Sequence, residues 1–379
     1  MTVLIESLSI NGFRGFSELA IPFFGKVNLI TGKNNAGKSS LLEAIRILAS
    51  RGSLETIQSI LNYREETNDF LDSERELLGA DYGPYRNLFI GFPDLSAGPS
   101  EFSINATGDL PPGLSTLAVT AVWAVKQVDP ERGVVTAYER AAPDLFGDVE
   151  GVPALEIIAG ERRRVFPLIR RSASRRFMGI SPFGDGSTEM VRCVYLDPFS
   201  SRSTGQLGAL WDAIALTDAQ EEVVKALRLI SPDIQAVSMI GSDEPRSRSR
   251  TAIVRSVQFG SPVPLRTFGD GVNRLFGIIL SLCNARNGVL LIDEFENGLH
   301  HSVQASIWKT IFRLASDLNV QVFASSHSRD CVSAFQEAAT ESPQEGVLIR
   351  LTRKGEEVLP TIFKERELEI ATQNEIEVR

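Results

Sequence analysis

Cysteine is scarce in this chain: Cys193, Cys283 and Cys331 stand far apart and form no CxxC pair. That usage excludes a disulfide framework and a cysteine-based structural zinc site, and it suits a reducing cytosol. Basic charge is not in excess either. A net charge of −9 over 379 residues offers no general attraction for nucleic acid, so any basic footprint has to be local. Long apolar runs are also missing. The run from Leu275 to Cys283 is interrupted by Gly277 and Ser281 and falls well short of the roughly 20 residues that span a bilayer. The first residues carry no basic leader and reach a charge at Glu6, unlike a secretory signal. The expectation is a soluble cytoplasmic protein with no membrane partner. With 43% apolar and 23% charged residues, the chain can build a sizeable core, and it fits neither collagen, a coiled-coil rod nor a disordered tract.

Sharp signals gather in two blocks near opposite ends. In the first, Val3-Leu4-Ile5 reads as a strand and the glycines of Asn11-Gly12-Phe13-Arg14-Gly15-Phe16 as a turn. Val27 to Ile30 is a short apolar strand, and from Ser39 the apolar positions Leu41, Leu42, Ile45 and Leu48 take helical spacing. The middle contains an alternating strand over Leu117 to Val125, Gly- and Pro-punctuated segments over 130–160, and an amphipathic helix over Asp218 to Ile230. Pro245 to Arg250 reads as an exposed loop. The second block holds a Gly-rich turn, Phe268 to Gly271, and a helix over Val272 to Cys283. A buried strand over Val289 to Ile292, a helix over Val303 to Ala315 and a strand over Val320 to Ala324 follow. Strand–loop–helix units at both ends predict an α/β fold with a mainly parallel sheet shared by the termini. The corresponding division is 1–95 and 256–379 for the two parts of one head, with 96–255 as an inserted α/β lobe.

Gly32-Lys33-Asn34-Asn35-Ala36-Gly37-Lys38-Ser39 fits the phosphate-binding loop GxxxxGK[ST]. Its glycines let backbone N–H groups turn toward phosphate oxygens, at the positive end of the helix that follows. Lys38 would reach the β- and γ-phosphates and Ser39 would place its hydroxyl on Mg²⁺. The loop follows a strand and opens a helix, the context the motif requires. Asp293 and Glu294 close another apolar strand; in a phosphate-loop protein such an Asp holds Mg²⁺ and the adjacent carboxylate polarises the attacking water. His327 follows the next strand, where it can donate to the γ-phosphate or orient that water.

These pieces together resemble the ABC-type ATPase superfamily of P-loop NTPases, and within it the stand-alone AAA-type ATPases related to the OLD (overcoming lysogenization defect) family. The resemblance rests on Asn11 to Phe16, Thr31 to Ser40, Thr267 to Arg274, Leu291 to His300 and Ala324 to Ser328. It covers both ends of the chain closely and the middle loosely. It implies an ABC-type head binding ATP and Mg²⁺ in a homodimeric sandwich, with the phosphate loop of one subunit facing the signature loop, Gly269, Asp270 and Gly271, of the other. By the same resemblance Ser40 and Arg14 lie near the nucleotide, and Asn297 to His301 form the loop crossing the dimer interface. The chain departs from the transporter-type signature: Gly269 stands where a serine is usual, so backbone N–H groups or Thr267 would take over the hydroxyl's task. No glutamine-bearing lid loop is evident.

The family is associated with prokaryotic antiviral defence and DNA transactions, often with a separate effector such as a nuclease. Too little chain follows His327 for the Toprim-type nuclease of OLD proteins, so a separate effector is expected here. A DNA repair ATPase of the RecF kind is the alternative, and a transporter's nucleotide-binding subunit is a third; the long span from Gly32 to Asp293 and the unusual signature argue against the last. One local basic feature stands out. Arg162, Arg163, Arg164, Arg170, Arg171, Arg175 and Arg176 crowd a short stretch of an otherwise acidic chain. They read either as a nucleic-acid or acidic-partner patch, or as arginines paired with the surplus carboxylates.

Overall fold

The computed structural model describes residues 3–67, 82–130, 135–141, 151–168, 191–198, 204–241, 250–342, 345–364 and 367. The chain opens on an antiparallel hairpin, β1 (Ser7–Phe13) and β2 (Phe16–Ile21). Val3-Leu4-Ile5, expected as a strand, lies just ahead of it; pairing starts where Leu8 and Ile10 alternate with polar residues, which suits a strand with one buried face. β3 (Val27–Thr31) then runs into the Gly-rich loop and α1 (Lys38–Ala49), followed by α2 (Leu54–Tyr63). Next come β4 (Ser100–Thr107), β5 (Thr116–Val128), β6 (Val135–Arg140), β7 (Val152–Ala159), β8 (Arg162–Pro167) and β9 (Cys193–Leu196). After α3 (Thr204–Asp212) and α4 (Asp218–Leu227) stand β10 (Ile234–Gly241), β11 (Arg250–Ser256) and β12 (Val263–Pro264). The last part alternates: α5 (Asp270–Asn284), β13 (Val289–Ile292), α6 (His301–Asp317), β14 (Gln321–Ser325), α7 (Arg329–Glu341), then the hairpin β15 (Gly346–Lys354) and β16 (Glu357–Lys364).

The central sheet has the order β16-β15-β3-β14-β13-β9. All its pairings are parallel except the β15–β16 hairpin, so both ends of the chain share it. Val289 to Ile292 shows why these strands read as unbroken apolar runs. Leu290 and Ile292 face the core built with α4 to α7, while Val289 and Leu291 face the core built with β1 and α1. A strand covered on both faces needs apolar residues at every position. A seven-stranded antiparallel sheet, β2-β1-β4-β5-β7-β8 with β6 on β5, packs on the α1 side. A third, small sheet holds β10, β11 and β12.

The 96–255 stretch is α/β, yet its strands do not form one separate lobe. β4 pairs with β1 of the first block, and β9 pairs with β13 of the second. β9 is only four residues long, and its mixed burial left no alternation to read. α5 also begins two residues earlier than its apolar spacing indicates, so Asp270 and Gly271 belong to its first turn and Gly269 is its N-cap. Among the described residues no helix is long and apolar enough to cross a membrane. The loop expected over Pro245 to Arg250 falls mostly outside the described residues, and Arg170, Arg171, Arg175 and Arg176 lie outside them.

Candidate functional site

In an open parallel sheet the strands' C-terminal edge is where a ligand is met. Here that edge carries the phosphate loop after β3, Asp293 and Glu294 after β13, His327 after β14 and Asp197 after β9. The loop's shape follows from its glycines. Gly32 has φ 144°, and a Cβ there would lie 2.4 Å from the Leu351 carbonyl oxygen; Gly37 has φ 96°, and a Cβ would meet the Phe16 ring at 2.6 Å. Neither position tolerates a side chain. Asn35 between them also sits at positive φ, 64°. α1 then starts at Lys38 with no side-chain cap, which leaves its first backbone N–H groups for a ligand.

Lys38 Nζ donates to the carbonyls of Gly32 (2.8 Å) and Lys33 (3.2 Å). Burial lowers its pKa, and the carboxylates of Asp293, Glu296 and Glu294 oppose that shift. Ser39 Oγ donates to Asp293 Oδ1 at 3.2 Å, so the two expected magnesium ligands are neighbours across the sheet edge. Asp293 is 4% exposed and is further bound by the hydroxyls of Ser325 and, at 3.3 Å, Tyr195. A hydroxyl and a carboxylate are hard oxygen donors of the kind Mg²⁺ prefers, and Mg²⁺ takes few protein ligands when phosphates complete its shell. Among the described residues no cluster of three His, Cys, Asp or Glu side chains could hold a metal by itself.

Glu294 is held in a costly conformation. Its φ is 48°, a left-handed setting worth about 1–3 kcal/mol of strain for a non-glycine residue unless its surroundings enforce it. They do. Its N–H donates to Ser325 Oγ at 2.9 Å, and its carbonyl accepts from Arg274 Nη2 at 3.0 Å. Arg274 also donates to the Asp293 carbonyl at 2.9 Å and to the Asp197 carbonyl at 2.8 Å. Burial lowers the pKa of its guanidinium, while Asp197, Asp293, Glu296 and Glu294 oppose that shift.

His327 lies beside Glu296: its backbone N–H donates to Glu296 Oε1 at 2.9 Å, and its Nδ1 stands 3.1 Å from the same oxygen. Of the loop expected at a dimer interface, His300 caps α6 by accepting from the Ser302 N–H. Gly298 packs on the start of α5, its carbonyl 3.2 Å from where a Gly271 Cβ would be. The α5 N-terminus has no side-chain cap, so the first-turn N–H groups following Gly269 are open donors.

Arg14, expected near the nucleotide, is engaged in ion pairs. Its guanidinium pairs with Glu43 at 2.7 Å and Glu66 at 2.8 Å, in a network with Arg64. Burial pushes the Glu43 carboxyl up, and the charges of Arg14 and Arg64 oppose that shift. A second cation beside Lys38 reaches the phosphate loop: Arg353 donates to the carbonyls of Asn35 (3.0 Å) and Gly15 (3.3 Å). Of the arginine-dense stretch, Arg163 pairs with the buried Glu156, which also pairs with Arg140, and Arg164 has a partner of its own.

Sequence reasoning missed Tyr195, Asp197, Arg274, Glu296, Ser325 and Arg353. Three of these, Arg274, Glu296 and Ser325, lie inside the motifs named above, where their polar character was the available signal, whereas Arg353 lies in β15, outside them. Tyr195 and Asp197 gave none, because only the pairing of β9 with β13 brings them to the site.

Comparison with known proteins agrees with this fold. Residues 4–82 match a family model described as an AAA ATPase domain, and residues 173–330 match one described as an AAA domain, putative AbiEii toxin, Type IV TA system. An Smc head solved with the C-winged helix domain of ScpA superposes with a TM-score of 0.51, covering 96% of this chain and 99% of that one at 12% identity. The fold is that of an ABC-type P-loop ATPase head. Along nearly its whole length, 98% of this chain and 99% of the relative, the protein is 24% identical to an ATP/GTP phosphatase of Helicobacter pylori. Shorter stretches are similar to RecF, a DNA replication and repair protein. One of 46 residues is 52% identical to the Idiomarina loihiensis protein and spans 13% of it; one of 81 residues is 35% identical to that of Clostridioides difficile and spans 20% of it. The two family models and the full-length relative thus place the similarity with ATPase domains and with a nucleoside-triphosphate phosphatase.

Proposed function

We propose that the protein is an ATP-hydrolysing switch that dimerises around nucleotide. The observation that carries this reading is the meeting of Ser39 with Asp293 at the sheet edge, beside the doubly pinned Glu294. ATP would be held by Lys38 and by the backbone N–H groups of residues 33–40, with Mg²⁺ between Ser39 and Asp293; the bound metal–nucleotide supplies the transferable γ-phosphoryl group. Lys38 turns from the loop carbonyls to phosphate oxygens. Glu294 accepts a proton from the attacking water, and His327 orients that water or donates to the γ-phosphate. The open N–H groups at the start of α5, with Gly269, Asp270 and Gly271, would face the nucleotide of a second copy. They take the place of the missing signature serine.

The test is direct. The purified chain should release phosphate from ATP only with Mg²⁺, and light scattering should show its mass double with a non-hydrolysable ATP analogue and Mg²⁺. A monomer under those conditions rejects the sandwich; Mg²⁺-independent release rejects the metal assignment.

A place in prokaryotic antiviral defence, in the cytoplasm and with a separate effector such as a nuclease, is part of the same reading. The family description naming a toxin–antitoxin system supports it. The RecF matches favour a second reading, a DNA repair ATPase. Tight, salt-dependent binding to gapped or junction DNA, lost when arginines between 162 and 176 become Ser, would select the second; no nucleic-acid binding at low salt would reject it.

A further inference from the structure

The charged side chain of Arg274 is almost fully enclosed, at 1% exposure, yet it makes no ion pair within 4 Å among the described residues. Its donors go to backbone carbonyls, those of Asp197, Asp293 and Glu294. These carbonyls end two adjacent strands, β9 and β13. The arginine itself sits just over one turn into α5, the helix whose N-terminus is the signature loop. A second contact joins the same parts, since Gly271 of α5 lies against Gly298 of the loop after Glu294. Glu294 sits at positive φ, and among the described residues its N–H is held by Ser325 while its carbonyl accepts from the Arg274 side chain and from the Asn297 N–H at 3.1 Å.

We infer that Arg274 is a positioning residue that sets Glu294 in its left-handed conformation and ties the signature helix to the catalytic turn. Resting on the reading above, this makes α5 the lever between the two sites of a dimer. A nucleotide from the second copy that seats on the α5 N-terminus moves Arg274, and Arg274 moves the peptide that carries Glu294. Buried guanidinium–carbonyl bonds suit this role because they are directional and, once desolvated, are not exchanged for water. Arg274 touches no reacting atom in this scheme and acts through Glu294 alone.

The experiment compares Arg274→Met and Arg274→Lys with the parent chain. The first readout needs no nucleotide. Hydrogen exchange should quicken in peptides covering 291–299 and the end of β9 in Arg274→Met, with α6, α7 and the antiparallel sheet unchanged. Exchange raised evenly across the protein, or unchanged everywhere, overturns the hold on Glu294. The second readout is kinetic. Arg274→Met should keep the affinity for a fluorescent ATP analogue within about threefold and lose about tenfold or more in kcat, with Arg274→Lys between it and the parent. In a Glu294→Gln background, Arg274→Met should leave the residual rate unchanged within twofold, because a residue acting through Glu294 has nothing left to act on. A full further loss there overturns the proposal. Should Arg274→Met fail to fold, Arg274→Lys keeps the charge but cannot reach all three carbonyls, and the same exchange pattern in milder form decides. A parent chain that turns over no ATP would strike the hydrolysis reading alone, since the exchange result stands without it.

Discussion

Glu294→Gln is expected to bind ATP about as tightly as the parent and to release phosphate about 100-fold more slowly, within the range for loss of a positioned general base. The substitution keeps the side chain's shape and leaves the backbone contacts of residue 294 with Ser325, Arg274 and Asn297 in place. Binding should therefore survive. An amide cannot take up the water's proton, so the chemical step stalls with nucleotide still enclosed. In the sandwich reading the stalled species is the dimer, and it should accumulate with ordinary ATP rather than only with a non-hydrolysable analogue. Single-turnover phosphate release and light scattering on the same sample check both halves. Unchanged turnover would move the base elsewhere, and Glu296 beside His327 is the next carboxylate to examine.

How far the sequence could be read depended on where each residue's constraint lies. The phosphate loop was legible because its constraints are local: glycines at positive φ, a strand before and a helix after. β3, β13 and β14 of the central sheet were legible because burial on both faces leaves largely apolar runs, whereas β9, β15 and β16 were not read. The Asp293-Glu294 pair was legible as chemistry, but the strain at Glu294 was not, since φ is set by partners at positions 274 and 325. Arg14 shows the opposite case, a legible place with an illegible partner. Its turn does abut the phosphate loop, through Phe16 on Gly37, so the motif marked the right place. The side chain's partner, Glu43, lies on the inner face of α1, where a carboxylate looks like an ordinary helical polar residue. The middle was hardest to divide, because β9 joins the central sheet across a long span of sequence and no local pattern encodes such pairing.

Lys38→Ala is expected to weaken ATP binding by about 100-fold or more and to abolish turnover. The ammonium is the one charged donor aimed along the loop interior, held by the Gly32 and Lys33 carbonyls. Charge-assisted bonds to phosphate in a partly desolvated site are worth about 1.5–3 kcal/mol each, and each 1.4 kcal/mol is about tenfold in affinity. Two such contacts, to the β- and γ-phosphates, account for the expected loss. The fold should not suffer. Alanine is the best helix former at the first position of α1, and removing Lys38 relieves an amine whose charged form burial already disfavours. Thermal unfolding should therefore match the parent within a few degrees while equilibrium binding of a fluorescent ATP analogue is lost. Unimpaired binding in a folded Lys38→Ala protein would mean that the loop's backbone N–H groups alone hold the nucleotide, and the assignment of Lys38 would fall. Loss of binding together with loss of dimerisation in the analogue would show that the second copy is recruited through nucleotide rather than through protein surface alone.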